Sequence, residues 1–193
     1  MQQAAGGAFQ VNDSLPDVIL LKGAPGVGKS SAAKFLTRHF SSGVRIEVDE
    51  LRRMVIGVNW TDQSEHRAVL RIGAQLVGGF LRAGFAPIIL VDTFSGDKLD
   101  GFLHALRAEQ LKARPCVIVL HASDETLRDR ISNREANGFR DLLVSTRINC
   151  EVVRDAKPFE KLIDTSALSP PEVAQAIMSV LEREISETRM GDN

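Results

Sequence analysis

The residues with the clearest capacity for chemistry are residues 23–30, which read GAPGVGKS and follow the apolar run at 18–21. This segment satisfies the pattern GxxxxGKS of a phosphate-binding loop. In that pattern, backbone N–H groups surround a polyphosphate, the lysine reaches its terminal phosphates and the serine hydroxyl binds Mg²⁺. We therefore predict a site for a nucleoside polyphosphate and Mg²⁺ that consists of Gly23, Ala24, Pro25, Gly26, Val27, Gly28, Lys29, Ser30 and Ser31.

Two aspartates follow strand-like runs and are candidates for the chemistry at the phosphate. Asp49 follows the run at 44–48, and Asp92 follows the run at 87–91. Phosphoryl transfer to an alcohol needs a carboxylate that accepts the proton of the attacking hydroxyl, and it needs groups that hold Mg²⁺. We predict that Asp49 is this general base and that Asp92 binds Mg²⁺ or supports the acceptor. The alternative is that each aspartate only caps the turn or helix that follows it.

Arginines form a third group of candidates. Arg52 lies three residues after Asp49, so the two share a helix face, and Arg52 could bind the acceptor or pair with Asp49. Arg130 and Arg134 are four residues apart and could close together on the transferring phosphates. Arg128 is a candidate contact to the nucleotide. A solvated basic surface is the alternative for residues 128–134, because acidic residues are interspersed with these arginines.

Aromatic and histidine side chains complete the candidates. Trp60 lies where an acceptor could stack, although a single tryptophan more often contributes to packing. Phe94 follows the Asp92–Thr93 pair and is expected to line the acceptor pocket. His66 and His104 are expected on the surfaces of helices.

These candidates need a scaffold that brings distant parts of the chain together. Five short apolar runs, at 17–21, 44–48, 87–91, 115–120 and 161–163, alternate with helical patterns. This alternation is typical of an α/β protein in which helices cover both faces of a parallel sheet. Right-handed connections bring the carboxyl ends of such strands to one edge. One cleft at that edge would contain the phosphate-binding loop and both aspartates.

The patterns predict a single domain. Residues 1–16 and 189–193 are expected to form tails, and residues 17–188 the domain itself. Within it, residues 123–150 are expected to form a helical lid, for which the glycine at 138 would provide mobility.

Composition limits the kinds of partner. The 193 residues include 44% hydrophobic and 25% charged residues, with a net charge of −1. This balance favours a small-molecule partner over broad non-specific binding to nucleic acid. The two cysteines lack metal-ligand spacing, no apolar run reaches membrane-spanning length, and no secretory leader pattern is found, so a cytoplasmic location is expected.

The order of GAPGVGKS, VDELR, VDTF and RISNR resembles the P-loop kinases grouped with polynucleotide kinase, chloramphenicol phosphotransferase, gluconate kinase and zeta toxins. The resemblance implies an AAA-type ATP-binding kinase-like domain with sheet order 2-3-1-4-5 and a lid over the nucleotide. It also implies that Asp49 is the base, that Arg52 contacts the acceptor and that Asp92 supports the acceptor side. Arg130 and Arg134 would clamp phosphate.

The predicted function is that of an ATP- and Mg²⁺-dependent kinase. Its acceptor would be a hydroxyl of a small molecule or of a nucleotide-like group such as a nucleic-acid 5′ end. Phe94 stands where polynucleotide kinase has asparagine, and a small-molecule alcohol is equally compatible with the residues. The alternative is a nucleotide-binding regulator or slow ATPase without a phosphate acceptor. A toxin-like kinase would use the same mechanism on a nucleotide sugar.

Overall fold

The structure is a computed structural model that describes residues 15–110, 112–133 and 139–191. Arg134 and Gly138 lie outside the described residues, as do most of the predicted tails. The strands are β1 (Val18–Lys22), β2 (Val44–Glu47), β3 (Ile88–Asp92), β4 (Pro115–His121) and β5 (Glu160–Asp164). The helices are α1 (Lys29–Leu36), α2 (Val48–Arg53), α3 (Gln63–Arg82), α4 (Lys98–Glu109), α5 (Asp124–Ser132), α6 (Leu142–Arg154) and α7 (Pro170–Gly191).

The five strands form one parallel sheet in the order β2-β3-β1-β4-β5, which confirms the predicted fold class. Side chains of β1 alternate between two cores. Ile19 and Leu21 pack with residues of α1 and α7, whereas Val18 and Leu20 pack with residues of α3 and α4. A strand that is buried on both faces must be apolar throughout, and this explains the continuous apolar run before the phosphate-binding loop.

A short 3₁₀ turn at Thr37–His39 follows α1. The end of one strand differs from the sequence-based expectation. Strand β2 ends at Glu47, so Asp49 lies in the first turn of α2 rather than at the end of a strand. Carboxylates at 49 and 50 suit this position because the amino-terminal end of a helix carries partial positive charge.

Hydrogen bonds from polar side chains cap the amino-terminal ends of two helices. The Asp62 carboxylate accepts hydrogen bonds from the N–H groups of Ser64 and Glu65 at the start of α3, at 2.8 and 3.2 Å. At the start of α7, the Ser169 N–H donates to the Glu172 carboxylate at 2.8 Å. These caps fix the points at which the two helices begin.

Helix α6 is attached to the sheet edge by two buried polar side chains. The Ser145 hydroxyl donates to the carbonyl of Pro25 in the phosphate-binding loop. Asn149 pairs with the backbone of Ala122, donating to its carbonyl at 2.8 Å and accepting from its N–H at 3.2 Å. These contacts hold α6 to the phosphate-binding loop and to the residue that follows β4.

Within the described ranges, each helix is too short or too polar to cross a bilayer.

Candidate active site

The phosphate-binding loop has the backbone that its glycines make possible. Gly23, Gly26 and Gly28 have φ angles of 152°, 95° and 96°. A Cβ atom on Gly23 would lie 2.3 Å from the carbonyl oxygen of Leu120, so only glycine allows β1 to turn into the loop beside β4. The Lys29 ammonium donates hydrogen bonds to the carbonyls of Gly23 and Ala24, at 2.7 and 2.9 Å. The lysine is thus held within the loop.

The residues present fit Mg²⁺-ATP. Ser30 is exposed in the first turn of α1, directly after Lys29, and the loop conformation is one in which backbone N–H groups cradle phosphate. In the part of the chain that the structure describes, no three His, Cys, Asp or Glu residues form a metal cage. Mg²⁺ usually takes one or two protein oxygens and completes its shell with phosphates and water.

Asp49 and Asp92 are close because β2 and β3 end side by side, with Glu47 opposite Val91 in the register. Asp49 is exposed, yet partial loss of hydration among the surrounding atoms raises the pKa of its carboxyl, and the negative charge of Asp92 raises it further. Lys29 is among the cations that lower it, but the net direction is upward. A carboxylate with a raised pKa holds a transferred proton more readily than an ordinary aspartate.

Asp92 is the last residue of β3 and is 5% exposed. One carboxylate oxygen lies 3.0 Å from Nε2 of His66, and the other accepts the N–H of Phe94 at 2.8 Å. Burial acts to raise the pKa of Asp92, but the hydrogen bonds and the charge of His66 outweigh it, so the pKa is lowered. Asp92 is therefore a carboxylate at neutral pH, and Nε2 of His66 is the donor.

His66 was expected on a helix surface, and this expectation is wrong. The side chain is 7% exposed and lies one turn into α3. The signal was present in the sequence, because His66, Val69, Leu70 and Gly73 have the spacing of one helix face, and all four are buried.

Arg52 is 4% exposed and is engaged by the loop at 54–62. It donates to the carbonyl of Asn59 at 3.0 Å and lies 3.7 Å from the Glu65 carboxylate. Its guanidinium is 4.6 Å from the ring centre of Trp60, and the tryptophan is 45% exposed. The predicted contact between Arg52 and an acceptor therefore requires the loop around Trp60 to move.

The Phe94 side chain is fully buried, with its ring 5.4 Å from that of Phe102. Its backbone has a φ of 49°, which is rare for a residue other than glycine. This turn directs the N–H of Phe94 to Asp92 and the ring into the core. A contact between Phe94 and an acceptor stays a prediction. An apolar residue at position 94 is also typical of a buried side chain, and burial is what the structure shows.

Lys98 is a further charged residue at this edge that sequence reasoning did not identify. It is buried at the start of α4 and donates to the Ser95 hydroxyl at 2.8 Å. Burial lowers the pKa of Lys98, although the charge of Asp92 acts in the opposite direction. Lys98 thus adds positive charge beside the Asp92 carboxylate.

Arg130 is engaged with backbone oxygens. Its guanidinium donates to Val27 O at 3.3 Å, to Leu168 O at 3.2 Å, and to the carbonyl and hydroxyl of Thr165 at 2.6 and 3.0 Å. Arg130 thus links the phosphate-binding loop to the connection between β5 and α7. The predicted clamp on phosphate would have to break these bonds, whereas Arg128 is exposed. Arg134, the other half of the predicted clamp, lies outside the described residues.

Replacing Arg130 with alanine is expected to reduce the free energy of unfolding by about 1.5–3 kcal/mol, because several oxygens lose a charged donor. Denaturant unfolding measures the change, and Arg128→Ala is the matched control on the same helix. If Arg130→Ala lowers turnover and leaves unfolding unchanged, the assignment of Arg130 as a structural link is wrong.

Comparison with known proteins identifies the family and the fold of this chain. Residues 18–156 match the family described as an AAA domain. A search of curated protein sequences finds no significant match. Among solved structures, a gluconokinase from Sinorhizobium meliloti 1021 is similar, with a TM-score of 0.65, 17% identity, and coverage of 93% of this chain and 99% of that one.

Two further structures are similar at comparable levels. The tunicamycin resistance protein of Deinococcus radiodurans has a TM-score of 0.65 at 21% identity, covering 85% of this chain and 94% of that one. The APS kinase of Mycobacterium tuberculosis, solved with AMPPNP and APS, has a TM-score of 0.62 at 15% identity, covering 87% and 98%. Likeness at such identities concerns the fold. Because the family match spans most of the sequence, the chain belongs to the AAA domain family, and its fold is that of the P-loop kinases.

Proposed function

We propose that the protein is an ATP- and Mg²⁺-dependent kinase that transfers the γ-phosphate to a hydroxyl of a small molecule. The observation that carries the proposal is the arrangement of Asp49. Its carboxylate is exposed in the first turn of α2, beside the carboxyl end of β3, and it is influenced by the charges of Asp92 and Lys29. Its pKa is raised. A nucleotide switch needs the phosphate-binding loop, but it does not need a basic carboxylate at this position.

Different residues of this chain have different roles in the phosphoryl transfer. Asp49 accepts the proton of the acceptor hydroxyl as the oxygen forms a bond to the γ-phosphorus. The bond from that phosphorus to the bridging oxygen breaks, and ADP leaves. Lys29 moves from the loop carbonyls to the phosphates and stabilises their charge, together with the loop N–H groups. Ser30 and Asp92 would hold Mg²⁺, which neutralises phosphate charge when bound.

A small acceptor is favoured by the charges near Asp49. Arg53 is paired with Glu50, and Arg67 is paired with Asp97 at 2.7 Å. These pairs reduce the positive charge that Arg53 and Arg67 could offer to a nucleic-acid backbone. We therefore place small alcohols ahead of 5′-hydroxyl oligonucleotides.

Arg52 is proposed to bind the acceptor after the loop at 54–62 moves. Among the described residues, Arg52 Nε and the Glu65 Oε1 atom are buried without hydrogen-bond partners. A polar acceptor could supply hydrogen bonds to these atoms. Displacement of Trp60 would accompany this contact.

The pH dependence follows from the direction of the Asp49 pKa. Asp49 must be ionised to accept a proton, so kcat/KM should fall as the pH falls through its raised pKa. The acid limb is expected above the usual aspartate value of about 3.9. Asp92 has a lowered pKa and ionises below that limb. A profile of kcat/KM against pH that shows no limb above the ordinary aspartate range would contradict the assignment of the base.

The experiment that tests the function is ADP release from Mg²⁺-ATP, alone and with a panel of hydroxyl compounds. The panel contains sugars, nucleosides, aminoglycosides, chloramphenicol-like alcohols and 5′-hydroxyl oligonucleotides. Stimulation by one class supports the kinase and identifies its acceptor class. Slow release that no compound stimulates, with intact ATP binding, supports the alternative of a regulator or slow ATPase.

A further inference from the structure

His66 connects the first turn of α3 to the carboxylate at the end of β3. The imidazole is buried, and its Nε2 lies 3.0 Å from Oδ1 of Asp92. The Phe94 N–H occupies the second carboxylate oxygen at 2.8 Å. Two donors from different elements therefore hold Asp92, and they leave few other orientations to its carboxylate.

His66 is the side chain that supplies a hydrogen-bond donor to Oδ1 of Asp92. A buried carboxylate without a donor loses its hydration and gains nothing in return, so it favours either protonation or a different rotamer. The Phe94 N–H belongs to the backbone and is present whatever the side chain. His66 is thus the side chain that decides whether Oδ1 of Asp92 stays fixed.

The position of His66 is itself set by the cap of α3. Its N–H donates to the carbonyl of Asp62 at 3.1 Å, and Asp62 also caps the helix through its side chain. This cap places the imidazole opposite the end of β3.

The surroundings of Asp92 are charged on several sides. Lys29 of α1, Asp49 of α2 and Lys98 of α4 all interact electrostatically with its carboxylate, in addition to His66 of α3. A change in the orientation of Asp92 would therefore change the field at the phosphate-binding loop and at Asp49.

We propose that His66 is a positioning residue: its Nε2–H fixes the Asp92 carboxylate in the orientation that the metal-bound nucleotide requires. Loss of a hydrogen-bond partner of a metal-binding side chain commonly weakens metal affinity by about 10- to 100-fold. The inference rests on the proposed phosphoryl transfer, but its effect on metal-dependent nucleotide binding can be measured without an acceptor.

The experiment compares three variants of the full chain. His66→Leu removes the donor, and His66→Gln keeps an N–H donor near the position of Nε2. His104→Leu is the matched control, because His104 is exposed on α4. The affinity for ATP is measured by calorimetry with Mg²⁺ and with EDTA, and thermal unfolding is recorded for each variant.

We expect His66→Leu to weaken the Mg²⁺-dependent part of ATP binding by about 10-fold, while binding in EDTA stays close to wild type. His66→Gln and His104→Leu should behave as wild type. If His66→Leu does not fold, His66→Asn replaces it, because its shorter amide does not reach Asp92, and the same loss is expected.

Three results would overturn the inference. One is unchanged Mg²⁺ dependence in the variant that lacks the donor. Another is equal impairment of the Gln and Leu variants, which would mean that the imidazole matters for something other than this hydrogen bond. The third is an equal loss of ATP affinity with and without Mg²⁺, which indicates a role in folding alone. A wild-type protein that binds Mg²⁺-ATP but phosphorylates nothing would contradict the proposed function without deciding this inference.

Discussion

Replacing Asp49 with asparagine is expected to lower the turnover number for phosphoryl transfer by about 100- to 10,000-fold, the usual contribution of a general base. Asparagine has nearly the same size and still fits the first turn of α2, but it cannot take up a proton at neutral pH. ATP affinity should remain near wild type, because Asp49 lies outside the phosphate-binding loop. Steady-state kinetics with the stimulating acceptor and calorimetry with ATP separate the two effects.

The matched control is Glu50→Gln, which changes the neighbouring carboxylate on the same turn. Glu50 is exposed and paired with Arg53, so its loss should leave turnover unchanged. A similar loss in both variants would indicate a general effect of charge on α2. Unchanged turnover in Asp49→Asn would remove Asp49 from the mechanism.

Replacing Lys29 with alanine is expected to reduce both ATP affinity and turnover, the latter by about 100- to 1,000-fold, as for the loss of one donor to a charge that develops in the transition state. The ammonium is held between the carbonyls of Gly23 and Ala24, within reach of a polyphosphate seated in the loop. It also lowers the pKa of Asp49 through its charge, so its removal acts on the base as well.

Lys34→Ala is the control for Lys29, because Lys34 is an exposed lysine on the same helix. Calorimetry with ATP and kinetics with the acceptor should show a loss in Lys29→Ala and none in Lys34→Ala. Wild-type turnover in Lys29→Ala would mean that the loop does not hold the transferred phosphate.

The fold was predictable because its signals are local. Continuous apolar runs specify buried parallel strands, and the glycine pattern at 23–28 specifies the loop between β1 and α1. The boundary between β2 and α2 was less predictable. Val48 suits both a strand and a helix, and tertiary packing decides between them.

The residues of the candidate site were predictable where a sequence motif identifies them. They were less predictable where tertiary packing determines which partners a side chain contacts. Lys29 and Asp92 lie where the sequence suggested. Phe94 was assigned to the acceptor pocket, but a positive φ turns its ring into the core. Arg130 donates to oxygens that lie 35 to 103 residues away along the chain, and a local sequence pattern does not predict such distant partners. His66 was recoverable from helix periodicity, because it continues the buried face of α3.

The measurement that tests the central claim most directly follows the γ-phosphate of labelled ATP into the acceptor that stimulates ADP release. Wild-type protein and the Asp49→Asn variant are compared at equal occupancy by ATP. We expect labelled phosphate on the acceptor hydroxyl with the wild-type protein and almost none with the variant. Label that appears only as free phosphate, at the same rate in both proteins, would contradict a kinase in which Asp49 is the base.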